Sequence, residues 1–261
     1  MTLTGRNTTI RTLLVIAVLL TASVTVLFVR SVFGTGGREL AELDLPQIFA
    51  IAGAVMTVFF GFLFAGVYSR MFRRSPSIPV FFVTLFFLSM TLDITKIAQI
   101  VALFSRWPHL SPMIARVSIF GHIAGIFAIF AAGLYSGGVR MQRHGTAVFA
   151  GSVIAFSLSW LIPIDTSSLP DHLVYPAGIR ASLEAALVVI LTLGVVNFVQ
   201  GAITNENPRM FLTAGAVVAI VVGREILFYF VEPIWIILGG ALVILGGALF
   251  AGQHYRDLLV S

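Results

Sequence analysis

Eight times along this chain an apolar stretch of about twenty residues gives way to a few polar ones. The stretches cover residues 10–33, 46–69, 78–104, 113–135, 147–163, 180–202, 210–231 and 234–254, and Leu, Val, Ile, Phe and Ala dominate each. A helix rises about 1.5 Å per residue, so roughly 20 apolar residues match a hydrocarbon layer about 30 Å thick. Lipid offers no partner to a backbone N–H or C=O, and no strand pattern is visible, so each stretch is predicted to be a membrane-spanning helix. The interruptions, among them "GTGGRELAELDLP", "SRWPHLSP", "IDTSSLPDHLVYPAG" and "TNENPR", carry the Gly, Pro, Ser and Asn that loops require. The expected fold is all-α: one polytopic transmembrane helix bundle spanning 1–261, with eight spans. Seven is the alternative, because the fifth stretch ends at Pro163 after only 17 residues.

Composition enters as a check on that reading. Only 10% of residues are charged, against about a quarter in soluble domains, so the surplus apolar surface must face hydrocarbon. The net charge of +5 resides mostly in arginines at the ends of the stretches, and these set orientation. With the N-terminus cytoplasmic, Arg6, Arg11, Arg70, Arg73, Arg74, Arg140, Arg143, Arg209 and Arg256 fall inside, and Arg30, Arg38, Arg106 and Arg180 outside. That bias predicts N-in and C-in topology. The acidic residues Glu39, Glu42, Asp44, Asp165 and Asp171 gather in the outer loops. The first stretch is too long for a cleavable signal and is expected to be retained. Asn7-Thr8-Thr9 matches a glycosylation acceptor but falls on the cytoplasmic side, where it stays unmodified. The expected location is a bacterial cytoplasmic (inner) membrane, with lipids as partners. No basic stripe with interleaved aromatics marks a nucleic-acid surface. Cysteine is absent, which excludes disulfides and thiolate chemistry.

Two patterns bear on assembly. "FAGVYSRMFRR", "AAGLYSGGVRMQRH" and "FVQGAITNENPR" close the second, fourth and sixth stretches about 67 residues apart. This spacing suggests three helix hairpins of one design, flanked by the first and last spans, as internal repeats do in transporters. Small residues recur at helical spacing in "GHIAG" and in "GGALVILGG" of the last stretch. Such faces let helices approach closely in lipid, and the last helix is a candidate surface for a homo-oligomer or a membrane partner.

The polar residues inside the spans carry the functional argument. Asp93 and Lys96 (the only lysine in the chain) lie in the third, Arg116 and His122 in the fourth, Glu184 in the sixth, and Arg224 and Glu225 in the seventh. A charge at a helix centre costs roughly 2.5–3.5 kcal/mol on insertion scales, so these residues are expected to face inward and pair. Asp93 and Lys96, three apart, share a face with Ser89 and Gln99. The topology puts all seven residues in the outer half. Three carboxylates against three cations among them suit a structural network or a zwitterionic ligand better than a simple anion.

Catalytic and cofactor signatures are lacking. His109, His144, His172 and His254 are scattered, and no HExxH or clustered-carboxylate motif occurs, so neither a metal nor a cofactor is expected. A lysine in the third span is misplaced for a retinal Schiff base, and the serines of "SLSW" and "SMTLD" have no base at readable spacing. The expected function is a non-enzymatic multi-pass membrane protein with a charged pocket in its outer half, acting as receptor, sensor or partner subunit. The short tail "QHYRDLLVS" would leave signal output to membrane partners. The alternatives are a transporter of a small zwitterionic or anionic solute gated at Asp93 and Lys96, and an intramembrane lipid-modifying enzyme with Glu184 or Asp93 as base. Against transport, no span is broken near its middle by Gly or Pro.

Overall fold

A computed structural model describes residues 3–34, 43–74, 77–105, 107–138, 144–204, 206 and 208–260. Arg38, Glu39, Glu42, Arg106, Arg140 and Arg143 lie outside the described residues, as do the side chains of Arg73, Arg74, Arg209 and Arg256. The described chain is a bundle of α1 (Leu3–Gly34), α2 (Leu45–Arg74), α3 (Ile78–Met90), α4 (Thr95–Phe104), α5 (Ser111–Ser136), α6 (His144–Leu161), α7 (Arg180–Thr204), α8 (Pro208–Tyr229) and α9 (Pro233–Val260). Proline opens α8 and α9 and stands in the first turns of α3 and α5, where its missing N–H costs nothing. Seven helical stretches are long and apolar enough to cross a membrane: Thr4–Gly34, Leu45–Met71, Ile78–Phe104, Pro108–Ser136, Arg180–Thr204, Met210–Tyr229 and Pro233–His254. They coincide with seven of the eight predicted spans. The remaining one is the shorter apolar helix Gly145–Leu161.

The third span is the centre of the bundle. Ten of the thirteen residues of α3 are buried, as befits a helix that is apolar all round. Its phenylalanines meet those of α2 and α9: the Phe87 ring lies 5.0 Å from Phe64 and 5.4 Å from Tyr68, and Tyr68 lies 5.5 Å from Phe250. The Tyr68 hydroxyl donates to Gly247 O at 2.7 Å, which satisfies the one polar atom of that cluster. By contrast α1 is peripheral. It buries Arg6, Ile10, Ala17 and Val24, spaced by four and then seven residues, so a single seam attaches it to the bundle.

Glycine does its packing inside the chain. A side-chain carbon on Gly239 would stand 2.9 Å from Gly223 O, and one on Gly246 would meet Ala216 O at 2.5 Å; Gly240 and Gly247 face Met56 and Phe64. The glycine face of α9 is thus occupied by α8 and α2, and a second copy would have to use another surface.

Residues Ile162–Ile179 form a cap between α6 and α7. Backbone bonds Gly178 N–H to Pro163 O (2.7 Å) and Asp165 N–H to Pro176 O (2.9 Å) close its base. The Ser167 hydroxyl and amide bond the Asp165 carboxyl and hold it below its ordinary value. At the tip, Leu173 adopts a positive φ of 62°, which costs roughly 1–2 kcal/mol for a residue with a side chain. Its side chain is buried against Ala50 of α2 and Ile100 of α4, a gain of about 2–3 kcal/mol that offsets the strain. The cap therefore lies at the same end of the bundle as the start of α2 and the end of α4. Helix α6 packs along α5 and leads into the cap.

Candidate functional site

The opening of the site begins with an irregularity in the third span. Between α3 and α4, residues Thr91–Ile94 form a turn of 3₁₀ helix. The cause is local: the hydroxyls of Ser89, Thr91 and Thr95 donate to Phe86 O, Leu88 O and Leu92 O, three residues back, at 2.7, 2.6 and 2.7 Å. Such back-bonding competes with the regular ladder and tightens the helix. As expected, neither Gly nor Pro breaks the middle of this span; hydroxyl side chains tighten it instead. Gly61 of α2 and Gly121 of α5 press against this turn, with no room for a side chain beside Thr91 and Leu92.

The turn delivers Asp93 and Lys96 into the interior, both 1% exposed, alongside Arg224 at 0%. The inward orientation is as expected, but the pairing is not. Among the described residues no ion pair joins Asp93 to Lys96 or Arg224. The Lys96 ammonium donates to Phe228 O at 2.6 Å and lies 4.3 Å from the centre of the Phe228 ring. Phe228 ends the last turn of α8, whose carbonyls have no helical partner, and a cation is the favoured cap there. Arg224 reaches across to α5, where its Nη atoms donate to His122 O and Gly121 O at 3.4 Å, and it lies 5.2 Å from the Phe86 ring. Gly125 makes room for it; a side-chain carbon there would meet Arg224 Nη1 at 2.6 Å. Both carboxyl oxygens of Asp93 are buried without a hydrogen-bond partner. Gln99 completes the stripe, its amide donating to Ser111 Oγ at 2.7 Å.

Above this sealed layer, toward the cap, lies a cavity of about 620 Å³. It is bounded by α5 (His122, Ile126), the cap (Pro170, Asp171, His172), α7 (Arg180, Glu184, Leu187, Val188, Leu191) and the end of α8 (Glu225, Tyr229, Phe230, Val231). Its size falls in the range of small-molecule sites. Glu225 is the central group. Its Oε2 lies 3.4 Å from His122 Nε2, while its Oε1 is buried with no partner. Rings cluster at the same wall: His122 is 4.7 Å from Phe228 and 6.0 Å from Tyr229, and His172 is 5.8 Å from Tyr229.

The seven residues singled out by sequence thus divide. His122, Glu184 and Glu225 line the cavity; Asp93, Lys96 and Arg224 lie sealed behind it. Arg116 joins neither group, its guanidinium lying 5.0 Å from the Trp160 ring of α6. Glu184 pairs with Arg180 one turn earlier on the same helix at 2.7 Å, both half-exposed, and so does not complete the inner network. Asp171, His172, Arg180 and Tyr229 are cavity residues that charge counting within the spans missed. The length of the segment around "PDHLVYP" points to the first two, since long ordered loops in compact bundles are usually functional.

No protein-family model matches this chain, and no curated protein or solved structure proved similar to it.

Proposed function

We propose that this is a multi-pass membrane protein that binds a small ligand in the cavity beneath its cap and acts as a receptor or as a ligand-binding partner subunit. The observation that carries the reading is the convergence on one cavity of the Glu225 side chain, two imidazoles and the Tyr229 ring. Glu225 Oε1 is itself buried without a partner, where buried polar atoms normally have one, so this carboxyl group is the cavity side chain with most to gain from a ligand. No comparable argument supports the lipid-modifying enzyme: Glu184 is held by Arg180, and Asp93 is sealed from the cavity.

The eight-span, N-in and C-in reading is retained. Helix α6, at 18 residues, is about 27 Å long. It connects the end of the bundle that holds α5's last turn to the end that holds the cap. The pairs α2 with α3–α4, α5 with α6, and α7 with α8 each pack side by side, as three hairpins of one design would. Single cysteines at Arg70 and Ser168 are expected to label from opposite faces of the membrane; labelling from one face refutes eight spans.

Ligand binding is tested by thermal stabilisation of the purified protein against a panel of small amines, amino acids and carboxylates, with Leu187→Trp as the filled-cavity control. A stabilising compound that loses its effect in the control supports the reading. One that stabilises both proteins equally opposes it. Transport is the second reading, favoured by the 3₁₀ turn that places a partnerless carboxyl group within a span. Solute flux in proteoliposomes that is indifferent to Asp93→Asn removes it.

A further inference from the structure

We infer that the cavity takes a membrane amphiphile, with an ammonium headgroup at Glu225 and an acyl chain lying along α7 against Leu187, Val188 and Leu191. The inference rests on the ligand-binding reading above and names the class of ligand.

The headgroup follows from charge. Sequence counting gave a balanced cluster, but the residues that line the cavity are not balanced. Asp171, Glu184 and Glu225 face one cation, Arg180, and Glu184 already neutralises Arg180. The remaining pair, Asp171 and Glu225, favours a positive ligand. Lys96 and Arg224 act on Glu225 through the wall, but neither reaches into the cavity. Each is sealed behind the wall, Lys96 on the Phe228 carbonyl and Arg224 on the α5 carbonyls. The Tyr229 ring, one turn from Glu225 on α8 and on the same cavity wall, supplies an aromatic face of the kind on which ammonium groups are recognised.

The chain follows from a gradient that α7 and α5 share. Moving away from the cap, α7 presents Arg180 and Glu184, then Leu187, Val188 and Leu191; α5 presents His122, then Ile126. Along α5 and α7 the cavity is therefore polar near the cap and apolar at depth, while the end of α8 adds Phe230 and Val231 near the cap. It is also open at the side, since Val188 is 60% exposed and Phe230 46%, in the faces this bundle turns to lipid. The opening has a structural cause. At the far end α7 lies backbone to backbone on α5, where a side-chain carbon on Gly133 would collide with Gly194 O, and one on Gly201 with Ser136 O. Nearer the cap, Ile119, Ile123 and Leu187 replace these small residues and hold the two helices apart. A slot that is charged at one end, greasy at the other and open to the bilayer fits an amphiphile better than a water-soluble solute.

The test compares dodecylamine, dodecanol and ethylamine, each below its aggregation concentration, by calorimetric binding to the detergent-purified full chain. Dodecylamine is expected to bind at least tenfold more tightly than either of the others. Glu225→Gln keeps the shape and is expected to remove that preference over dodecanol. Val188→Trp, at an exposed position that folding tolerates, is expected to weaken dodecylamine at least tenfold and leave ethylamine unchanged. Equal affinity for ethylamine and dodecylamine, or no response to either variant, overturns the inference. If a water-soluble compound from the panel binds in a Leu187→Trp-sensitive way while dodecylamine does not, the amphiphile is wrong and the cavity reading survives. If neither binds, both fall.

Discussion

Gly133→Ala is expected to be the most informative single change in the scaffold, because the structure specifies both its direction and its size. A side-chain carbon at Gly133 would stand 3.0 Å from the carbonyl carbon and 3.1 Å from the Cα of Gly194, and nearer still to the Gly194 oxygen. Carbon atoms prefer about 3.5–4.0 Å, so α5 and α7 must separate by roughly 0.5–1 Å. The obstructing atoms are backbone, so no rotamer change relieves the contact. Overpacking of this kind costs about 1–3 kcal/mol. The Gly194→Ala carbon meets Phe130 Cα at 3.1 Å and Phe130 N at 3.4 Å, a milder conflict. Gly215→Ala is the control: nothing lies within 4 Å of it, and it gains helix propensity of up to about 1 kcal/mol. Thermal or SDS unfolding of the three purified variants is expected to rank Gly133→Ala below Gly194→Ala below Gly215→Ala, with about 2–4 kcal/mol between the extremes. Gly133→Ala as stable as Gly215→Ala would refute the close approach of α7 to α5, and with it the origin assigned to the cavity.

Two further outcomes follow from the polar groups. Lys96→Met removes a charged donor from the buried Phe228 carbonyl and is expected to destabilise by roughly 1–3 kcal/mol; a melting temperature at or above wild type would show that the cap on α8 contributes nothing. His172 lies outside the spans, and burial first, then the charges of Lys96 and Arg180, push its imidazole down to about 4 from 6.5. At neutral pH it is uncharged whether the cap is seated or released. As pH falls through 6.5 the released state takes up a proton that the seated state refuses, so stability drops until about pH 4 and then levels off. The loss reaches at most about 3 kcal/mol. Melts of His172→Asn across that window are expected to be flatter than wild type, and parallel curves would refute the assignment.

The helices were legible because lipid leaves the chain no other option. Every apolar stretch from 10–33 to 234–254 is helical, the third with a 3₁₀ turn inside it and the first and last extending several residues beyond the apolar run, and Lys96 and Arg224 face inward for the same reason. What the sequence concealed depends on neighbours distant along the chain. Lys96 caps a helix end 132 residues away, and spacing on one helix face cannot reveal that an ammonium has chosen a carbonyl over the nearby Asp93. The 3₁₀ turn was written in "SMTLDIT", but as hydroxyls bonding their own backbone, a signal that a search for Gly and Pro passes over. His172 was discounted as a loop residue because only the folded cap carries it to the cavity wall.

Phe228 links these layers, and the link makes a final prediction. Its carbonyl and one ring face hold Lys96, one turn from the 3₁₀ segment, while its ring packs on His122 at 4.7 Å and His172 at 6.5 Å beside the cavity. Coupling between two sites needs an element that both contact, and here a single residue is in contact with both. Occupation of the cavity by dodecylamine is therefore expected to slow amide exchange in residues 91–97. Phe228→Leu keeps the carbonyl and most of the bulk but loses the ring contact with Lys96, worth about 0.5–2 kcal/mol. In that variant dodecylamine is expected to bind with little change, while protection of residues 91–97 falls away. Protection that persists in Phe228→Leu, with binding intact, would mean that the cavity and the third span communicate by another route, or that the turn responds to general stiffening of the bundle.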